Sequence, residues 1–187
     1  MCGIVGYIGP RDATPIILGG LKRLEYRGYD SAGIAVLQNG DIAVRREAGK
    51  LSQLTDAVQK SPISGKIGIG HTRWATHGAP SQQNAHPHLG HTGKVVVVHN
   101  GIVENFLELR DELSAEGVDF KSETDSETIV HLVEHYIASG LDLIEAARAT
   151  FTHLKGANVI VVMSADEPDT IVTARIGNAG GVVIGFG

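Results

Sequence analysis

Ile34-Ala-Val-Leu-Gln38, Asn39-Gly40 and Asp41-Ile-Ala-Val-Arg-Arg46 form the stretch that decides the fold class. Two runs of strand-forming residues flank a dipeptide whose residues both accept positive φ, the strongest short-range signal for a tight hairpin. Antiparallel neighbours joined this way argue against a doubly wound parallel sheet, where long crossovers separate the strands.

Working outward, residues 3–8 read as a short buried strand opening from the N-terminus. Ile16, Ile17, Leu21 and Leu24 recur at helical spacing, predicting a helix over Pro15–Tyr26. Arg27–Gly33 reads as a glycine-punctuated loop, Leu51–Gln59 as a helix and Lys66–His71 as a strand. Thr72–Gly93, with its prolines, histidines and small polar residues, reads as loop. Val95–Val98 is wholly apolar and β-branched, hence a central strand, ending at His99-Asn100-Gly101. Asn105 with Glu108, and Thr124 with Glu127, fit capping boxes that open helices stopped by Gly117 and Gly140. A third helix is expected from Asp142 to Leu154, then strands at 157–163, 170–174 and 181–185. Strand blocks with helices between them predict a layered α+β sandwich in one domain, 1–187. The last apolar run, Val182–Gly187, lacks a natural ending, so a piece of a longer chain is expected.

Composition bounds the function. With 187 residues, 42% hydrophobic, 20% charged and a net charge of −5, the chain suits a soluble globular domain. It lacks the basic face that a nucleic-acid partner requires. No apolar stretch approaches the roughly 20 residues of a membrane span, and the N-terminus lacks a signal-peptide pattern. The single cysteine excludes an intrachain disulfide and fits a cytoplasmic protein.

That cysteine, Cys2, sits where structural cysteines seldom do. If Met1 is removed, the freed α-amine stands on the nucleophile's own Cα, a built-in base for the thiol; a small residue that merely favours methionine removal is the plainer reading. Arg73, in His71-Thr-Arg-Trp-Ala-Thr-His-Gly78, suits a bidentate carboxylate clamp, against the commoner surface salt bridge. Trp74 fits either a closing loop or core packing. Asn100 and Gly101 supply the donors of an oxyanion hole, although Asn-Gly is also an ordinary turn. Asp125, read into the first turn of a helix, is suited to an ammonium group or simply to the helix dipole. The histidines lack metal-site spacing, so no metal is expected, and no nucleotide or other cofactor motif is present.

In this order, these pieces resemble the class II, N-terminal nucleophile, glutamine amidotransferases. The finer likeness is to the glutaminase domains of glutamine–fructose-6-phosphate aminotransferases. It rests on Cys2–Gly6, Leu24–Gly33, His71–Gly78, Asn84–His88, Val98–Asn105 and Ser122–Glu127, and runs to about residue 175. The resemblance implies a four-layer αββα sandwich of the N-terminal nucleophile hydrolase type, truncated at its C-terminus. It implies Cys2 as nucleophile, Asn100 and Gly101 as oxyanion hole, and Arg73 and Asp125 on the α-carboxylate and α-amine of L-glutamine. Trp74, Thr76 and His77 would belong to a lid. The implied partners are sugar-isomerase domains of a longer, homodimeric parent. Gly177–Gly181 is looser than the family's usual segment. Two other readings remain beside it: a different N-terminal nucleophile amidohydrolase, and a silent regulatory or binding domain.

Overall fold

The computed structural model describes residues 2–186. Asn39 and Gly40 take φ of 55° and 87°, and Gln38 lies opposite Asp41, so the expected two-residue hairpin forms. The elements are β1 (Gly3–Ile8), α1 (Ala13–Leu24), β2 (Ser31–Gln38), β3 (Asp41–Ala48), α2 (Leu51–Lys60), β4 (Ile67–Arg73), β5 (His88–Leu89) and β6 (Val95–Gly101). They continue with α3 (Phe106–Ala115), α4 (Glu127–Ala138), α5 (Leu143–His153), β7 (Asn158–Ser164) and β8 (Ile171–Ile176). Two antiparallel sheets result, in the orders β1-β4-β2-β3 and β5-β6-β7-β8.

Alternation along the strands builds four layers. Ile34 and Val36 of β2 face α1 and α2, burying against Ile17, Leu21, Leu54 and Val58. Ala35, with Ile67 and Ile69 of β4, turns the other way and meets Val96, Val98, Val161 and Met163 of the second sheet. Val95, Val97, Ile160 and Val162 then face α4 and α5 across Ile129, Val130, Val133 and Leu143. The order is helix, sheet, sheet, helix. The run Val95–Val98 is apolar throughout because each face of β6 meets a different core.

Several expected boundaries move. Thr72 and Arg73 complete β4 instead of opening a loop, because Gly3 pairs with Thr72 and Ser31 with Arg73. His88–Leu89 adds a short strand within the expected 72–93 loop. The first helix starts at Ala13, capped by Asp12, whose carboxylate accepts from the Thr14 N–H.

Neither capping box forms. Asn105 stands at the helix start, but its side chain bonds the His153 carbonyl and the Lys155 N–H. Glu127 is the first residue of α4, and its carboxylate accepts from the backbone N–H groups of Lys121 and Ser122. Residues 181–185 form no strand. No neighbouring strand pairs with them, and Val183 and Phe186 lie 95% and 98% exposed. Among the described residues no helix is long and apolar enough to cross a membrane.

Candidate active site

Sheet register brings the site together. Cys2 directly precedes β1, and the pairing of Gly3 with Thr72 sets it beside the end of β4. The Trp74 N–H donates to Cys2 Sγ at 3.2 Å, and the thiol faces the Trp74 carbonyl at 3.6 Å. Among the described residues these are the hydrogen-bond partners of Sγ. Burial pushes the thiol above its ordinary value; the Trp74 N–H and the Arg73 charge oppose the rise, and Asp30 adds to it. A thiol held this high needs a base to attack at neutral pH. Met1, whose removal would free the Cys2 amine, lies outside the described residues.

Arg73 is buried, at 3% exposure, and no carboxylate pairs with it among the described residues, which excludes the surface salt-bridge reading. Its Nη2 donates to the carbonyls of His77 and Gly78, so the guanidinium shapes the following loop. Nη1 is buried and has no hydrogen-bond partner. Burial lowers its pKa, and the nearby Asp30, Cys2 and Asp125 oppose that fall. So placed, the guanidinium commits one arm of its fork to the loop and leaves the other without a hydrogen-bond partner.

Asn100 and Gly101 end β6, opposite Val159 and Asn158. The Asn100 amide Nδ2 donates to the Cys2 carbonyl at 3.3 Å, tying the second sheet to the residue that carries the thiol. Gly101 has φ of 136°, and a Cβ there would stand 2.2 Å from the Ala157 carbonyl oxygen. Only glycine fits that approach.

Asp125 lies two residues before the first residue of α4, not in its first turn, which corrects the sequence reading. It is held instead by the Val103 N–H, which donates to its Oδ2 at 2.8 Å. One cavity of about 820 Å³ is lined by Cys2, Arg73, Trp74, Thr76, Asn100, Gly101 and Asp125 together. Trp74 is 48% exposed and meets Tyr29 edge-on at 5.3 Å, so it is no core residue. His77 does not line the cavity. Its ring packs edge-on against Phe106, with Nδ1 3.9 Å from Asp125 Oδ1.

Two groups had no sequence signal strong enough to assign. The Asp30 carboxylate accepts from the Ala75 N–H, and its own N–H donates to the Arg73 carbonyl at 3.2 Å, so it fixes the turn that meets the thiol. Its place in a glycine-punctuated loop was the available hint. His71, which meets the Asn100 amide, clusters with His86, His88 and His99, all buried. Burial lowers all four, His71 and His88 to about 3, so they stand as neutral imidazoles.

A separate trio, His91, His131 and Glu134, places donor atoms within 4.8 Å of one another. The Glu134 carboxylate there already accepts from the His91 and Thr92 backbone N–H groups and lies 2.6 Å from His91 Nδ1.

Comparison with known proteins meets this geometry. The chain is 54% identical, over 94% of its length, to a glutamine–fructose-6-phosphate aminotransferase (isomerizing) of Caldanaerobacter subterraneus, of which it covers 28%. It is likewise 54% identical, over all its length, to the Pseudomonas putida protein of that name, covering 30% of it. It thus spans less than a third of the length of these relatives. Its fold matches a glutamine phosphoribosylpyrophosphate amidotransferase from B. subtilis with a TM-score of 0.79 at 24% identity, over 94% of this chain and 37% of that one. Residues 71–178, more than half the chain, match the glutamine amidotransferase domain family, and the chain belongs to that family.

Proposed function

We propose that the chain hydrolyses L-glutamine to L-glutamate and ammonia through a thioester on Cys2. In this reading residues 1–187 are the ammonia-supplying domain of a longer glutamine–fructose-6-phosphate aminotransferase, whose sugar-isomerase domains would take up the ammonia. The observation that carries the reading is the meeting, in one cavity, of a thiol, an amide donor and two opposite charges.

Glutamine presents an α-carboxylate, an α-ammonium and a side-chain amide. Arg73 offers its unpartnered Nη1 to the carboxylate, and Asp125 its Oδ1 to the ammonium. The amide carbonyl then lies against Cys2. The α-amine freed by loss of Met1 takes the thiol proton, and the thiolate attacks the amide carbon. Asn100 Nδ2 and the Gly101 N–H hold the resulting oxyanion. Collapse breaks the C–N bond, the α-ammonium returns its proton, and ammonia leaves. Water, deprotonated by the same amine, then cleaves the thioester, releasing glutamate and restoring the thiol. A raised thiol pKa, and the lack of a histidine on Sγ among the described residues, both favour the terminal amine as base.

The test compares two mass-verified preparations, one beginning at Cys2 and one blocked by Met1 or a tag. General-base help contributes about 10²–10⁴ in rate, so the blocked form should be at least roughly a hundredfold slower. Cys2→Ala should be inactive yet folded. Equal turnover in the two preparations would place the base elsewhere, and an active Cys2→Ala would end the proposal.

A further inference from the structure

His71, a buried histidine against Asn100, has a directed contact that the chemistry above does not use. His71 lies in β4, fully buried. Its Nε2 stands 2.8 Å from Asn100 Oδ1 and 3.1 Å from the His99 carbonyl oxygen. Both partners are acceptors, so Nε2 carries the proton. Nδ1 is then the bare nitrogen, and it has no partner. Burial holds the imidazole neutral, at about 3, so this tautomer persists through the working pH range. The His86 ring lies 4.2 Å away, centroid to centroid, and blocks the ring from swinging aside.

The contact decides which way the Asn100 amide faces. As found, Oδ1 takes the His71 N–H and Nδ2 faces Cys2. A flipped amide would set N–H against N–H at His71 and oxygen against oxygen at the Cys2 carbonyl, two part-buried mismatches. The amide has two hydrogens: one bonds the Cys2 carbonyl, and the other is left for a substrate oxygen.

We propose that His71 is a positioning residue for glutamine hydrolysis, its Nε2–H locking the Asn100 amide so that Nδ2 points at the developing oxyanion. The assignment rests on the glutaminase reading. It acts across the sandwich, from β4 of one sheet to β6 of the other, and concerns the transition state more than substrate binding.

The test uses the chain beginning at Cys2, with His71→Gln, which keeps an N–H near the Nε2 position, and His71→Met, which fills the space without a donor. Each is made alone and in an Asn100→Ala background. Removing an oxyanion donor costs about 10²–10³ in kcat, and misdirecting one should cost about 10–100-fold. His71→Met should therefore lower kcat by that factor with glutamine KM within about threefold. His71→Gln should recover most of the loss. Alkylation of Cys2 by iodoacetamide, which forms no oxyanion, should stay within about twofold of the parent, since it needs only the positioned thiol. In Asn100→Ala the Met change should add little, because the two residues act as one unit. Equal losses in His71→Gln and His71→Met, a parallel fall in alkylation, or a full additional loss in Asn100→Ala would each assign His71 a merely structural role. A parent that fails to hydrolyse glutamine refutes the glutaminase reading and this one with it. A parent that hydrolyses it, with His71→Met at the same kcat, refutes this one alone.

Discussion

Replacing Arg73 by lysine separates charge from geometry at the proposed carboxylate clamp. The guanidinium does two jobs from a buried position: Nη2 holds the His77 and Gly78 carbonyls, and Nη1 remains without a partner. Lysine carries the same charge on one nitrogen, which can reach either the loop carbonyls or a substrate carboxylate, but not both. The loss is thus one hydrogen bond to a charged group, about 1.5–3 kcal/mol. At roughly 1.4 kcal/mol per decade, that is a rise of about 10- to 150-fold in glutamine KM. The amide carbon, the thiol and the oxyanion donors are untouched, so kcat should move little. The assay is steady-state ammonia release on mass-verified chains beginning at Cys2. The control substrate is 4-aminobutanamide, which is glutamine without its carboxylate and should show no comparable change in KM. A glutamine KM within about threefold of the parent, or equal losses on both substrates, would refute the clamp.

Asp125→Asn keeps an oxygen for the Val103 N–H and should fold normally, while losing the charge proposed to face the substrate ammonium. Glutamine binding should then weaken more than binding of the analogue lacking the α-amine; equal losses would leave Asp125 a purely structural carboxylate. The Glu127–His131–Glu134 cluster makes a pH-dependent prediction. Burial alone would raise Glu127, but hydrogen bonds from His131, Ser122 and the Lys121 N–H outweigh it and bring it from 4.5 to about 2. A depressed carboxylate contributes its stability above the ordinary value, and the contribution fades as pH falls from there toward 2. Burial would lower His131, yet Glu127 and Glu134 raise it, so its share is present at low pH and lost as pH climbs through its folded value. Glu127→Gln should cost about 3 kcal/mol near pH 6, read as a fall in the urea midpoint. The gap to the parent should narrow below pH 4.5; a gap that does not change with pH would contradict the assignment.

The parts legible in the sequence are those decided by neighbours along the chain. Asn39-Gly40 formed its hairpin because tolerance of positive φ belongs to the residues themselves. The continuous apolar run Val95–Val98 announced a strand covered on both faces, and Asp142 capped α5 through its own third neighbour, Glu145. The candidate site residues could be picked out one by one, because thiol, guanidinium, amide and carboxylate each carry their chemistry wherever they stand. Their meeting was not readable from spacing. It depends on Gly3 pairing with Thr72 and on β4 facing β6 across the apolar layer between the sheets. Tertiary structure likewise took Asn105 and Glu127 from their expected caps, because partners far along the chain or in the preceding loop offered buried donors and acceptors that would otherwise go unsatisfied. It left 181–185 unpaired, since an apolar β-branched run becomes a strand only where another strand supplies its hydrogen bonds. His71 and Asn100 are 29 positions apart and meet at 2.8 Å because two sheets pack face to face, a distance set by register and packing and by no local preference of either residue.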